Sequence, residues 1–385
     1  MANVREIKGR RMSINALFVV PTLKRAGAET QVIDLINGLD NQKFSKFVVV
    51  FGENVDQLDR LDTTNTKFFH IPQKSKFDFS IASRIAQIID QYNIDVIHGT
   101  IQISLLVAWL ALRQAKSKPK LTVAIHTTSN VSIKNELIDR TLYRFLFRSS
   151  DSMIFVCQSQ ARYWGKKFPE IVARSVVLYN GVDPDKFDRS LVKPDGNTLR
   201  ESLNIPEVAT VIACIAGFRP EKGHENLLKV FSTLSVDTIL LLAGDGPCRK
   251  AIEYQAQKLN ISARVKFLGN LDDVRPVLRI SDFSVLASTA VETFSIAMLE
   301  SLAMEVPVIA TDIGGMKEAI LPGKTGDLVR AGSETELTKK LSYYVVNKNE
   351  LISMGKKGRQ MVEEKFSLHQ MICKTSAHLE GLVRT

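Results

Sequence analysis

Short apolar runs and segments of helical periodicity alternate along this whole chain, and that alternation leaves few folds open. Residues 14–20, 47–51, 67–71, 95–97, 122–125 and 175–178 are strand-like runs. Between them, 28–39, 81–92 and 104–113 repeat apolar residues every three or four positions. The second half repeats the pattern, with strands at 211–216, 238–243, 265–268, 283–287 and 308–310 and a helix at 224–234. Strand, helix, strand in this order argues for parallel, doubly wound sheets of the α/β class. The length of 385 residues suits two domains, set at 1–185 and 186–366. Residues 184–206, with Pro194, Gly196 and Pro206, have linker composition. Helices at 333–346, 349–365 and 367–383 close the chain.

One stretch, 286–315, carries the chemistry. It runs LASTAVETFSIAMLESLAMEVPVIATDIGG and reads as strand, loop, helix, strand and Gly-rich turn. Glu292 lies in the loop and Glu300 lies in a helix that looks buried on most sides. An ionised carboxylate there is costly unless it meets donors. Were the segment all helical, the two acids would stand about 12 Å apart, so one extended ligand could touch both. The N–H groups of Phe294, Ser295 and Ile296 open the helix after a strand, which is an anion-binding arrangement.

Glu292-Thr293-Phe294-Ser295 followed by Glu300 resembles the Glu-x7-Glu motif of the retaining glycosyltransferases of GT-B fold, glycosyltransferase family 4. The resemblance spans nearly the whole chain and is most specific over 217–330. It implies two Rossmann-like domains facing a central cleft: an acceptor-binding domain at 1–185 and a nucleotide-sugar-binding domain at 186–366. A last helix, 367–385, would cross back onto the first. It further implies that Glu292 holds donor-sugar hydroxyls and Glu300 the ribose. Asn270 and Leu271 would lie where the donor base rests.

Other motifs fit less tightly. Ala26-Gly27-Ala28-Glu29 stands where the family has Gly-Gly-Ala-Glu, with Gly27 expected near the donor diphosphate. Gly217-Phe218-Arg219-Pro220-Glu221-Lys222 is a basic loop after a strand, which suits a diphosphate. The family's usual Arg, five residues before Lys222, is Gly217 here, and Arg219 is the nearby substitute. Gly244-Asp245-Gly246-Pro247 resembles the family's Gly-x-Gly-Pro turn. His98 and His126 are each expected just past a strand's carboxyl end, where open sheets place ligands. The resemblance makes His126 the site residue, with Glu292 and Lys222, and His98 its support. Glu305 occupies a position that is mostly Gly in the family. Asp183-Pro184-Asp185 is an Asp-x-Asp, but it follows an Asn-Gly turn and fits the family's linker signature. No metal and no cofactor beyond the donor substrate is expected.

The net charge of +10 is uneven: residues 1–185 carry +8 and 186–385 carry +2. A basic first half suggests an anionic partner. Residues 133–149 set Lys134, Arg140, Arg144 and Arg148 beside Leu137, Ile138, Leu142, Phe145 and Leu146. Attachment to an anionic membrane is one reading. The plain alternative, an ordinary helix whose apolar residues serve the sheet, is slightly favoured. Nucleic acid is excluded as a partner, because no binding motif accompanies the charge. The four cysteines are far apart and suit a reducing compartment. No secretory signal or membrane span is read, so the expected place is the cytoplasm, with the inner face of the cytoplasmic membrane as an option within it.

The expected function is retaining transfer of a sugar from a UDP- or GDP-linked donor to a glycan or lipid-linked acceptor, in bacterial surface polysaccharide or lipopolysaccharide assembly. Three rivals remain: a GT-B epimerase or phosphorylase, a dinucleotide oxidoreductase, and a lapsed enzyme acting as a membrane-bound partner. A Gly-x-Gly-x-x-Gly after the first strand would support the oxidoreductase, and none is present.

Overall fold

The computed structural model describes residues 13–73, 78, 80–127, 133–193 and 196–384. The first seven strands are β1 Ile14–Val20, β2 Phe44–Val50, β3 Thr66–His70, β4 Val96–Thr100, β5 Lys120–Ile125, β6 Ser152–Phe155 and β7 Ser175–Val177. They form one parallel sheet in the order β3-β2-β1-β4-β5-β6-β7. Helices on its two faces are α1 Gly27–Gly38, α2 Ser80–Gln91, α3 Ile101–Gln114, α4 Ile133–Ile138, α5 Arg144–Ser149 and α6 Gln158–Lys167. The central strands are apolar on both faces, as burial from both sides requires.

The second sheet holds β8 Thr210–Ile215, β9 Thr238–Ala243, β10 Val265–Gly269, β11 Phe283–Leu286, β12 Val308–Thr311 and β13 Gly326–Val329. Its order is β10-β9-β8-β11-β12-β13, again parallel. Its helices are α7 Gly196–Ser202, α8 His224–Ser232, α9 Arg249–Lys258, α10 Arg275–Ile280, α11 Ile296–Ala303, α12 Glu334–Val346 and α13 Lys348–Lys365. Strand order reverses between β1 and β4 in one sheet and between β8 and β11 in the other. Ligands of such sheets bind outside the strand carboxyl ends at these reversals.

The last helix, α14 Leu368–Arg384, returns to the first sheet. Met371 and Leu379 are buried with Phe18, Val32 and Ile36, and Ser152 Oγ lies 2.8 Å from His378 Nε2. The crossover is held by Gln31. Its Nε2 donates to Gly181 O at 2.9 Å, and its Oε1 accepts from Gly181 N at 2.8 Å. Val182, Phe187 and Val192 already belong to the second core, which also takes in Val156 and Cys157 of the first domain.

Three local features differ from the sequence reading. Strands β6 and β13 were not expected: β6 follows a helical pattern directly, and β13 carries Gly326 and Asp327. His98 lies within β4, not past its end, and is buried. Residues 133–149 are not one regular helix, since Asp139–Tyr143 forms a π-turn between α4 and α5. Leu146 and Phe147 are buried, but Leu137 (63%), Leu142 (39%) and Phe145 (52%) are exposed, so the sheet does not use them. Nor is the neighbouring charge free. Arg140 pairs with Glu136, Arg144 and Arg148 with Glu170, and Lys167 with Glu136 and Asp139.

Candidate active site

The loops after β8 and β11 meet at the reversal of the second sheet. Thr289 N donates to Glu221 O at 2.8 Å and ties them together. Lys222 ends a 3-10 turn, Pro220–Lys222, and its Nζ lies 2.6 Å from Glu292 Oε2. Both side chains are largely buried, at 15% and 12% exposure. Ser288 Oγ donates to the same carboxylate oxygen at 3.1 Å. Gly314 has φ +60°, and a Cβ there would stand 1.9 Å from Glu292 O. Only glycine lets the turn after β12 pass behind Glu292 in this way.

Helix α11 starts at Ile296, two residues later than its sequence suggested. Ser295 is its N-cap, and its Oγ accepts from Met298 N at 3.3 Å. The N–H groups of Ile296 and Ala297 therefore head the helix, together with its partial positive charge. Gly27 opens α1 beside it: a Cβ on it would lie 3.2 Å from Ile296 Cγ1. The first residues of two helices, one from each domain, thus come together at the cleft. At the rim, Arg25 pairs with Asp272 across the same gap.

Glu300, on the next turn of α11, is half-buried. Burial pushes its carboxyl up to about 7; Lys186 and Arg60 pull it down, while Asp34 and Asp273 push it up further. Asp34 and Arg60 belong to the first domain, so Glu300 faces the cleft. It does not join the Lys222–Glu292 pair.

His126 follows β5 and is half-buried. Withdrawal of its ring from water lowers it to about 4, so it is neutral near pH 7. Its carbonyl accepts from Thr293 Oγ1 at 2.9 Å, which sets the residue after Glu292 against it. Burial lowers His98 to about 3, with a smaller effect from His126. Its Nδ1 has no hydrogen-bond partner among the described residues.

The remaining expected residues spread around this centre. Arg219 is half-exposed, with Nε 3.1 Å from Glu221 Oε1, so it points to its own neighbour. Gly244, at φ +138°, lets its turn pass under Ala216 O, only 2.2 Å from where a Cβ would sit. Asn270 is exposed and Leu271 half-buried against the second core. Phe294 is buried between Tyr179 and Phe366, with ring centroids 5.2 Å from each, so its side chain is core. Asp183 Oδ1 accepts from Asp185 N at 3.0 Å and closes its own turn. A hollow of about 610 Å³ lined by Arg189, Arg279, Asp282 and Glu305 has none of these residues in its lining.

Sequence reading missed Arg249, Thr293 and Gln160. Arg249 is held by Asp245 at 2.9 Å and Glu253 at 2.8 Å. Its Nη1 lies 3.4 Å from where a Cβ of Gly269 would be, beside Asn270. A basic residue in the first turn after the Gly-x-Gly was a usable signal for it. Thr293 lay inside the Glu-x7-Glu stretch with no role given to it, and nothing local marked Gln160, whose contacts at Ile125 and Thr127 are distant in sequence.

Comparison with known proteins finds a family model on each half of the chain. The family described as Glycosyltransferase Family 4 matches residues 25–186, and that described as Glycosyl transferases group 1 matches residues 195–361. N-acetyl-alpha-D-glucosaminyl L-malate synthase of Bacillus anthracis is 28% identical over 79% of each chain. A GDP-mannose-dependent alpha-(1-6)-phosphatidylinositol monomannoside mannosyltransferase of Mycolicibacterium smegmatis is 25% identical over 73% of this chain and 75% of its own. In fold, a glycosyltransferase of Rickettsia africae superposes with a TM-score of 0.85 at 23% identity, covering 97% of this chain and 99% of that one. HepE of Anabaena, solved with UDP-glucose, superposes at 0.84 and 20% identity, covering 96% and 100%. The chain is therefore built from a Glycosyltransferase Family 4 domain followed by a Glycosyl transferases group 1 domain, on the GT-B fold.

Proposed function

We propose that the protein is a retaining glycosyltransferase that moves a sugar from a nucleotide-diphosphate sugar to a glycan or lipid-linked acceptor, in bacterial surface polysaccharide or lipopolysaccharide assembly. The observation that carries this reading is the Lys222–Glu292 pair, set beside the adjoining helix ends at Gly27 and Ile296. A donor diphosphate seated there meets one ammonium and two positive helix ends as its charge develops. Glu292 accepts from the sugar hydroxyls and Glu300 from the ribose. His126, neutral and lowered to about 4, is a weak base, so the leaving phosphate oxygen takes the acceptor proton. Closure of the cleft excludes water and limits hydrolysis. No metal enters this scheme.

The similar proteins support a UDP- or GDP-linked donor: one is named for GDP-mannose and one was solved with UDP-glucose. For the acceptor, the exposed Leu137, Leu142 and Phe145 support contact with a membrane on which a lipid-linked substrate would sit. No helix among the described residues is long and apolar enough to cross one.

A thermal-shift panel of nucleotides and nucleotide sugars tests the reading. One UDP- or GDP-sugar should raise the melting temperature and be turned over, since a ligand at a hundred times its Kd adds about 2.7 kcal/mol. Absence of binding, hydrolysis and transfer across the panel would favour a lapsed enzyme.

A further inference from the structure

The second domain also reaches into the first through a residue the reaction does not use. Glu318 ends a 3-10 turn, Met316–Glu318, after β12. Its Oε2 accepts from Gln158 N at 2.9 Å and from Tyr179 Oη at 2.8 Å, and its Oε1 accepts from Ser159 N at 2.7 Å. Gln158 and Ser159 are the first two residues of α6, in the other domain. The carboxylate therefore caps a helix that it is not part of, where the helix dipole favours negative charge.

That helix end holds the strand end bearing His126. Gln160, fully buried, donates through Nε2 to Ile125 O at 2.7 Å and to Thr127 O at 3.0 Å, on either side of His126. Its Oε1 accepts from Val156 N at 2.8 Å, and Trp164 Nε1 donates to Thr127 O at 3.0 Å. Cys157, the N-cap of α6, donates from Sγ to Thr293 O at 3.4 Å. Thr293 Oγ1 then donates to His126 O, closing a ring of contacts from one domain to the other. Burial, and secondarily the bond to Glu318, raise the Tyr179 hydroxyl above its ordinary value, as expected for a phenol donating to a carboxylate.

We infer that Glu318 is a positioning residue that clasps the N-terminus of α6 and so fixes the His126 strand end against the Glu292 loop. It touches no substrate. The inference rests on the transferase reading for its kinetic consequence but not for its structural one. Either domain alone lacks the cap, so the acceptor side of the cleft is set only when the domains are docked.

Glu318→Gln in the full-length chain tests it, because glutamine keeps the size and gives up one of the two accepting oxygens. Amide hydrogen exchange should quicken about tenfold in peptides covering 122–127 and 157–160. In the same variant kcat should fall about tenfold, while KM for the nucleotide sugar stays within twofold. Tyr179→Phe should move both readouts the same way by less. Unchanged exchange would overturn the clasp. Faster exchange with normal kcat would overturn its role in positioning. If the unmodified protein turns over no nucleotide sugar, the transferase reading fails, and the exchange result alone decides whether the clasp exists.

Discussion

Lys222 Nζ lies 2.6 Å from Glu292 Oε2, so the cation expected to meet the donor diphosphate is already held by the acid expected to meet the donor sugar. A nucleotide must compete with Glu292 for that ammonium. The pairing also keeps Lys222 from swinging into solvent, which lowers the ordering cost of binding.

Removing the competitor should separate the two roles. Glu292→Gln should bind free UDP or GDP up to about tenfold more tightly, worth about 1.4 kcal/mol. Transfer should nevertheless fall about a hundredfold or more, because the sugar hydroxyls lose a charged acceptor. Titration calorimetry beside turnover checks both. Weaker nucleotide binding in this variant would show that the ion pair assists the diphosphate and does not compete with it.

Glu300 predicts a pH dependence. Its carboxyl is raised by burial to about 7, and the proposed contact with the ribose hydroxyls is strongest for the ionised form. Affinity for a nucleotide sugar should therefore tighten about tenfold from pH 6 to pH 8. The stability sign is opposite. A carboxyl whose folded value exceeds its unfolded one loses stability as pH rises from its ordinary range to about 7. Glu300→Gln should bind with no such pH dependence and melt higher than the unmodified protein at pH 8. Equal melting temperatures at pH 8 would show that the acid carries no burial cost.

Glu305 holds a conformation that glycine favours. Helix α11 ends in a Schellman turn: Val306 N donates to Ser301 O at 2.9 Å and Glu305 N to Leu302 O at 3.1 Å. Glu305 is the left-handed residue of that turn, at φ 58°. Glu305→Gly should stabilise the protein by about 1 kcal/mol and raise Tm by about 2 °C. Glu305→Ala, which keeps the strain, should not, and neither change should alter turnover.

Gly217 stands where the resembled family carries an arginine, and the structure leaves room for a side chain. A Cβ there would meet only Asp245 O at 3.5 Å and Arg219 Nε at 4.0 Å. Gly217→Arg should tighten UDP or GDP binding about tenfold, since a charge-assisted hydrogen bond contributes about 1.5–3 kcal/mol. Unchanged affinity by calorimetry would place the diphosphate away from this loop.

Much of the frame was legible because strands of a parallel sheet are apolar on both faces, so β1, β8 and β9 stand out as uninterrupted runs. Strand β13 did not, because Asp327 sits in it, buried and bonded to Lys340 at 2.9 Å from a later helix. Among candidate site residues, Lys222, Glu292 and His126 were visible as residue types at loop positions. Glu318 was not, because the amides it caps lie 160 and 159 positions earlier in the chain. The exposure of Leu137, Leu142 and Phe145 was hidden as well. An amphipathic pattern does not say which side the sheet occupies, and the π-turn at Asp139–Tyr143 rotates the facing of the helical residues after it.

The most direct test of the account is Lys222→Ala with the nucleotide sugar that the panel identifies. Lys222 is the one side-chain cation assigned here to the leaving diphosphate, and removing such a group costs about 10²–10³ in kcat. The variant should fold, with the melting temperature within a few degrees, and its turnover should fall by at least about a hundredfold. A folded Lys222→Ala protein that transfers sugar at a near-normal rate would contradict that assignment.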